Sequence, residues 1–167
     1  YFMNSVNAMA AQRHDPIAAL AGGGYDLLPG FIDGWLDAAP TTVTFVDGCE
    51  QAYRFNARID YLSAYNRIKD DCQRLVSPEN RAKYRAQVQV GFGVYLDPYI
   101  NPPDSKWYID PGDMSRVERL GRNVGYALDV ADEYVWVYGE KASWWPNPHP
   151  RAQQPWPEAL PGIEDQL

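Results

Sequence analysis

Four acidic residues stand at the ends of three hydrophobic runs: Asp47 and Glu50 in FVDGCE, Asp97 in VYLDP and Glu140 in VYGE. Carboxyl groups gathered in this way can divide acid–base work. One stays protonated to assist a leaving group, and the other stays ionised to attack or to activate water. If the runs are neighbouring parallel strands about 4.8 Å apart, acids on adjacent strands, or on strands one removed, approach a common point within ~5 to 10 Å. That span covers both geometries of glycosidic-bond hydrolysis, with carboxyl groups ~5 to 5.5 Å apart for retention and ~6.5 to 9.5 Å apart for inversion. Glu50 and Glu140 form the candidate catalytic pair, with Asp47 and Asp97 in support. Each acid also has a plainer use, capping the following helix or pairing with a cation such as Arg54 or Lys141.

The same segments carry Tyr53, Tyr95, Tyr99, Trp107, Trp144 and Trp145, and the whole chain holds six Trp and twelve Tyr, most of them in its second half. Flat rings with a hydroxyl or N–H at the edge can stack on sugars and hydrogen-bond their hydroxyl groups, and they can equally fill a core. These six are the candidate substrate-binding residues, whereas Trp136, inside a hydrophobic run, reads as core. Residues 98–113 (PYINPPDSKWYIDPGD) make a long connection of the kind that often forms a functional loop or lid. No phosphate-cradling glycine motif, CxxC pair, HExxH or GxSxG occurs, so no cofactor is expected. His14 and His149 are far apart, which argues against a metal site. Gly91-Phe92-Gly93 reads as a close-packing device inside a strand.

The elements that must position these residues follow from periodicity. Residues 43–49 (VTFVDGC), 88–96 (VQVGFGVYL) and 134–139 (YVWVYG) are β-branched or aromatic, begin about 45 residues apart, and are separated by helical segments. That alternation predicts a parallel α/β fold with right-handed crossovers. In the first gap Ile59, Leu62, Tyr65, Ile68, Cys72, Leu75 and Val76 form one apolar stripe, with Asn56 as a cap, and Ser77-Pro78-Glu79 opens a shorter helix. In the second gap Val117, Leu120, Val124, Leu128 and Ala131 repeat the pattern, and Ser115 with Glu118 fits a capping box. Upstream, Leu27, Leu28, Phe31, Ile32, Trp35 and Leu36 predict a further amphipathic helix, with Asp26, Asp33 and Asp37 on its solvated face. Cys49 and Cys72, at opposite ends of a helix path of about 25 Å, are expected to be free thiols, Cys72 in the core. The chain is expected to be one domain over residues 1–167, with residues 146–167 as a Pro/Trp-rich, extended tail.

A formal net charge of −7 and the lack of a Lys/Arg stripe exclude nucleic acid as a partner. No apolar run approaches the ~20 residues needed to span a bilayer, and the first residues lack the basic start of a signal peptide. A water-soluble chain with no membrane partner is expected, its compartment left open between the cell interior and a secreted or periplasmic location.

The run from Leu28-Pro29-Gly30-Phe31-Ile32-Asp33-Gly34 through Val46-Asp47-Gly48-Cys49-Glu50, then 91–97 (GFGVYLD) and 133–140 (EYVWVYGE), resembles the C-terminal half of bacterial glycoside-hydrolase-like (β/α)8 barrel proteins. The resemblance covers most of residues 25–145 and implies a partial TIM barrel. A complete barrel takes roughly 250 residues. Many such glycosidases draw an acid/base from an Asn-Glu strand end in mid-barrel, and no such strand end occurs here. The resemblance therefore implies that the first half lies outside this sequence, and that an upstream segment, a second chain or a second copy closes the sheet. It also implies a glycosidase acting on an oligosaccharide or polysaccharide. The alternatives are a carbohydrate-binding protein without catalysis and an assembly subunit with no ligand.

Overall fold

The computed structural model describes residues 13–146, 148 and 154–167. Among the described residues, seven α-helices and six short strands follow one another: α1 (Pro16–Gly22), α2 (Leu28–Ala38), β1 (Phe45–Asp47), α3 (Arg58–Lys69), α4 (Arg81–Gln87), β2 (Val88–Val90), β3 (Phe92–Tyr95), α5 (Asp97–Ile100), α6 (Arg116–Leu128), β4 (Val135–Tyr138), β5 (Ala142–Ser143), β6 (Gln154–Pro155) and α7 (Trp156–Ala159). Three 3-10 turns, Glu50–Arg54, Asp71–Leu75 and Ile163–Asp165, complete the set. Among the described residues no helix is long and apolar enough to cross a membrane.

The partial (β/α)8 barrel inferred from the sequence is overturned. The described strands are two to four residues long and form three separate two-stranded parallel sheets, β1 with β2, β3 with β4 and β5 with β6. With three two-stranded sheets among the described residues there is no half-barrel edge for an upstream segment, second chain or second copy to close. The physical reason lies at Gly91, which cuts the expected strand 88–96 in two. Before Gly91 the backbone pairs with β1 (Asp47 with Val90), and after it with β4 (Phe92 with Val135). A Cβ at Gly91 would stand 2.9 Å from the carbonyl oxygen of Tyr134 and 3.0 Å from Val46, so neither neighbour continues alongside a normal residue there.

Asp132 spans that break. Its N–H donates to the Val90 carbonyl (3.0 Å), and its Oδ2 accepts from the Val90 N–H (2.8 Å). Lys69 Nζ lies 3.0 Å from the same carboxylate oxygen, and Tyr65 donates its hydroxyl to Oδ1 (2.9 Å). A side chain thus supplies the strand partner that the backbone does not.

The helices depart from the sequence reading in instructive ways. The stripe 59–76 is not one helix: α3 ends at Lys69, and Cys72, Leu75 and Val76 reach the core from a 3-10 turn and the residue after it. Ile59, expected on the apolar face, is 62% exposed. Asn56 does not cap α3. Asp60 reaches back to accept from the Asn56 and Ala57 N–H groups, while Asn56 accepts from Arg119 of α6. Helix α6 begins as expected, with Ser115 Oγ accepting from Glu118 N–H (3.2 Å) and Glu118 accepting from Ser115 N–H (2.8 Å). Asp33 and Asp37 do not merely face solvent. Asp33 accepts from Ser77 N–H, Ser77 Oγ and Asn80 Nδ2, and Asp37 from Asn80, which ties α2 to the turn before α4.

The core includes Leu20, Ile32, Leu36, Ile68, Leu120 and Ile163, together with Tyr61, which meets Phe55 and Phe92 edge-on at 5.1 and 5.0 Å. Burial of side chains this size stabilises by about 1.5–3 kcal/mol each. Residues 154–167 do not form an extended tail. They add β6, α7 and a 3-10 turn, and bury Trp156, Leu160 and Ile163.

Burial works against the charge of Asp132, but hydrogen bonds from Val90, Lys69 and Tyr65 outweigh it and hold the carboxyl group below its usual range. A depressed folded-state pKa contributes stability above the unfolded value, about 3.9, and loses it as pH falls through the folded value. Asp132→Asn is expected to lower stability by about 1 to 2 kcal/mol at pH 7. The gap between wild type and variant in urea unfolding should narrow progressively as pH falls below the unfolded value of about 3.9; a gap that stays constant from pH 7 down to the acid limit of folding would overturn this account.

Candidate functional site

The site begins where β1 ends. Asp47 Oδ1 accepts from the Cys49 N–H (2.9 Å), and Cys49 takes a left-handed conformation with φ of 37°. That reversal turns the chain into the 3-10 segment Glu50–Arg54, so Glu50, Gln51, Tyr53 and Arg54 face one cleft of about 680 Å3. Phe55, Arg67 from α3, Tyr95, Trp107, Tyr138 and Glu140 complete its walls. The volume is that of an ordinary small-molecule site.

Strand pairing sets the aromatic wall. Tyr95 and Tyr138 are register partners on β3 and β4, so their rings lie side by side at 5.6 Å, tilted by 24°. Tyr53 joins them at 5.3 Å from Tyr95 and 5.7 Å from Tyr138. It can come so close because residue 93 is glycine: a Cβ there would lie 2.8 Å from the Tyr53 ring and 2.9 Å from the Trp136 nitrogen. Trp107 meets Tyr95 edge-on at 5.5 Å, and the Arg54 guanidinium lies over Trp107 at 4.4 Å from the ring centre. The loop that carries Trp107 is held by Asn101, which donates to the Trp107 carbonyl (2.8 Å), and by the Ile109 N–H, which donates to the Pro98 carbonyl.

Glu140 sits at the rim and is exposed, yet it is held firmly. Tyr95 donates to Oε2 (2.8 Å) and Tyr138 to Oε1 (3.0 Å). These bonds, that of Tyr95 first, hold its carboxyl group below the usual glutamate range. The Tyr95 hydroxyl also lies 2.9 Å from Asp97 Oδ2, and burial together with the two neighbouring carboxylates raises its pKa far above that of a free phenol. A hydroxyl carries one proton. Tyr95 therefore donates to one carboxylate at a time, and a simultaneous bond on the other side requires that carboxyl group to be protonated.

The predicted site residues divide into two groups. Glu50, Glu140, Tyr53, Tyr95 and Trp107 come together in the cleft. Asp97 and Asp47 do not line it, being 1% and 0% exposed. Asp97 accepts from Tyr95 and from the backbone N–H groups of Glu140 and Lys141, while Asp47 braces the turn at Cys49. Tyr99 is buried and accepts from Asn123 Nδ2 (2.7 Å). Trp144 and Trp145 meet each other edge-on, and Trp144 packs against Trp156 of the C-terminal segment, outside the cleft.

Cys49 and Cys72 are free and buried. Cys49 is not poised as a nucleophile, because burial and the charge of Asp47 push its thiol up to about 12. Cys72 does not lie a helix length away. It lies in the 3-10 turn Asp71–Leu75 that follows α3, fully buried, and burial first, with the charge of Asp47, raises its thiol pKa. His149 lies outside the described residues. Among the described residues no group of three or more His, Cys, Asp or Glu side chains could hold a metal ion.

Comparison with protein-family models, with curated proteins and with solved structures finds no match to this chain. The chemistry is therefore read from the cleft itself. It combines two carboxylates, two guanidinium groups and four aromatic rings with polar edges.

Sequence reasoning missed Tyr138, Arg54 and Arg67. Tyr138 had a signal: it stands two residues before Glu140, as Tyr95 stands two residues before Asp97. Arg54 follows Glu50 by one turn. Arg67 arrives from α3, and nothing in its local sequence marks it.

If the two hydroxyls hold Glu140 ionised, removing them must raise its pKa. Tyr95→Phe is expected to shift the Glu140 titration, followed by carbon NMR, upward toward the ordinary glutamate value, with a smaller upward shift for Tyr138→Phe. Titrations unchanged in both variants would mean that neither hydroxyl bears on the carboxylate.

Proposed function

We propose that the cleft binds a saccharide and hydrolyses a glycosidic bond with Glu50 and Glu140 as its carboxyl pair. One arrangement carries the reading: both glutamates line a single cleft whose walls are Tyr53, Tyr95, Trp107 and Tyr138. Aromatic faces suit the apolar faces of sugar rings, and the tyrosine hydroxyls and the indole N–H suit their hydroxyl groups. In this reading Glu140, held ionised by two tyrosines, is the nucleophile or the base that activates water, and Glu50 protonates the departing oxygen. Tyr95 and Tyr138 act on Glu140 and are positioning residues. Asp97 and Asp47 support the loops that carry the pair.

A carbohydrate-binding protein without turnover would use the same rings. Its discriminating property is chemical, since no reducing ends would appear while binding persisted. Glu50→Gln and Glu140→Gln are each expected to lower the release of reducing ends from a cleaved oligosaccharide by at least 100-fold. Binding, read from tryptophan fluorescence, should change only a few-fold. A wild-type chain that binds oligosaccharides and cleaves none would reject the hydrolase in favour of the binding protein.

A further inference from the structure

Among the described residues, two cations of the cleft have no hydrogen-bonded or ion-paired partner. Arg74, Arg81, Arg85, Arg116 and Arg119 each donate a hydrogen bond to a carbonyl or side chain, and Arg58 pairs with Asp129. Arg54 and Arg67 make no hydrogen bond or ion pair with any described residue, although Glu50 and Glu140 line the same walls. Neither can shed its charge, because a guanidinium stays protonated. Arg54 Cζ lies over the Trp107 ring, 4.4 Å from its centre, a cation–π contact that uses the face of the guanidinium and none of its N–H donors. Within a chain of net charge −7, this cleft balances its two carboxylates with two guanidiniums.

We propose, resting on the saccharide reading above, that the cleft selects a sugar bearing a carboxylate, and that Arg54 and Arg67 receive that group. A planar carboxylate matches the guanidinium fork. A single negative charge also suits a site that already holds Glu50 and Glu140, where a doubly charged phosphate would meet stronger repulsion.

The test is a tryptophan-fluorescence titration of the full chain with oligomers of galacturonic, glucuronic and mannuronic acid, their methyl esters and neutral oligosaccharides. At least one acid oligomer should bind ten times or more tighter than its own ester, and that advantage should shrink as salt is raised. Arg54→Gln and Arg67→Gln should each reduce the ratio of acid to ester binding, measured within the same variant, by roughly tenfold. Arg54→Lys, which keeps the charge but loses the fork and the stacking, should fall between, and it guards against a glutamine variant that folds poorly. Equal binding of acids, esters and neutral sugars would overturn carboxylate selection and leave the saccharide reading intact. An acid preference that survives both arginine substitutions would overturn the assignment to these residues. No binding to any member of the panel would overturn both the inference and the reading beneath it.

Discussion

The cleft depends on a carboxylate that does not line it. Asp97 is 1% exposed, and a carboxyl group so buried is costly unless its oxygens find hydrogen-bond partners. Three donors meet it: the Tyr95 hydroxyl on one oxygen, and the backbone N–H groups of Glu140 and Lys141 on the other. The pairing of β3 with β4 stops at Tyr95 and Tyr138, so beyond that point Asp97 does the work of further ladder bonds. It fixes the backbone from which Glu140 projects and, through the same side chain, the hydroxyl against which Glu140 folds back. The position of the exposed acid is in this sense decided by the buried one.

The second constraint is steric and works through what is missing. Gly91 and Gly93 flank Phe92, which is fully buried, and their bare backbone admits Tyr134, Val46, Trp136 and Tyr53 at distances no side chain would allow. On one side this closeness ends the pairing of β2 with β1 and starts that of β3 with β4. On the other it lets Tyr53 lie against Tyr95 and Tyr138. Ring pairs of this kind contribute about 0.5–1.5 kcal/mol each beyond their buried area. The tyrosine wall of the cleft and the division of the sheet therefore share one cause.

Much of this was legible locally. The Ser115–Glu118 box needs only a cap and an acid three residues on. Strand positions announced themselves by β-branched and aromatic runs, and the parallel pairing by the helices between them. What failed was extension. A spacing of about 45 residues suggested repeats of a barrel, but strand length is decided by backbone packing around Gly91, which spacing does not encode. The apolar stripe through Cys72 looked like one helix because a 3-10 turn can deliver the same residues to the core as a continuing helix would. Among the site residues, sequence could name acids at strand ends but not their burial. Asp97 and Glu140 look alike in VYLDP and VYGE, yet Asp97 opens a short buried helix and Glu140 stands in an exposed bend. Trp144 and Trp145 follow Glu140 directly, yet the C-terminal segment draws Trp144 to Trp156 and away from the cleft.

The hydroxyl of Tyr95 joins these two acids chemically as well as sterically. Each carboxylate has donors of its own, two backbone N–H groups for Asp97 and the Tyr138 hydroxyl for Glu140. The single Tyr95 proton can therefore swing from one to the other, and each carboxyl group keeps a donor on its other oxygen, Oδ1 of Asp97 or Oε1 of Glu140. When it points to Glu140, that acid is stabilised as an anion. When it points to Asp97, the phenolic oxygen faces Glu140 as an acceptor, and a protonated Glu140 becomes the matching partner. A carboxyl group that must be ionised at one stage of a reaction and protonated at another is served by such a neighbour, because the change of state at the cleft is met by a rotation of one hydroxyl and needs no movement of the backbone that Asp97 holds.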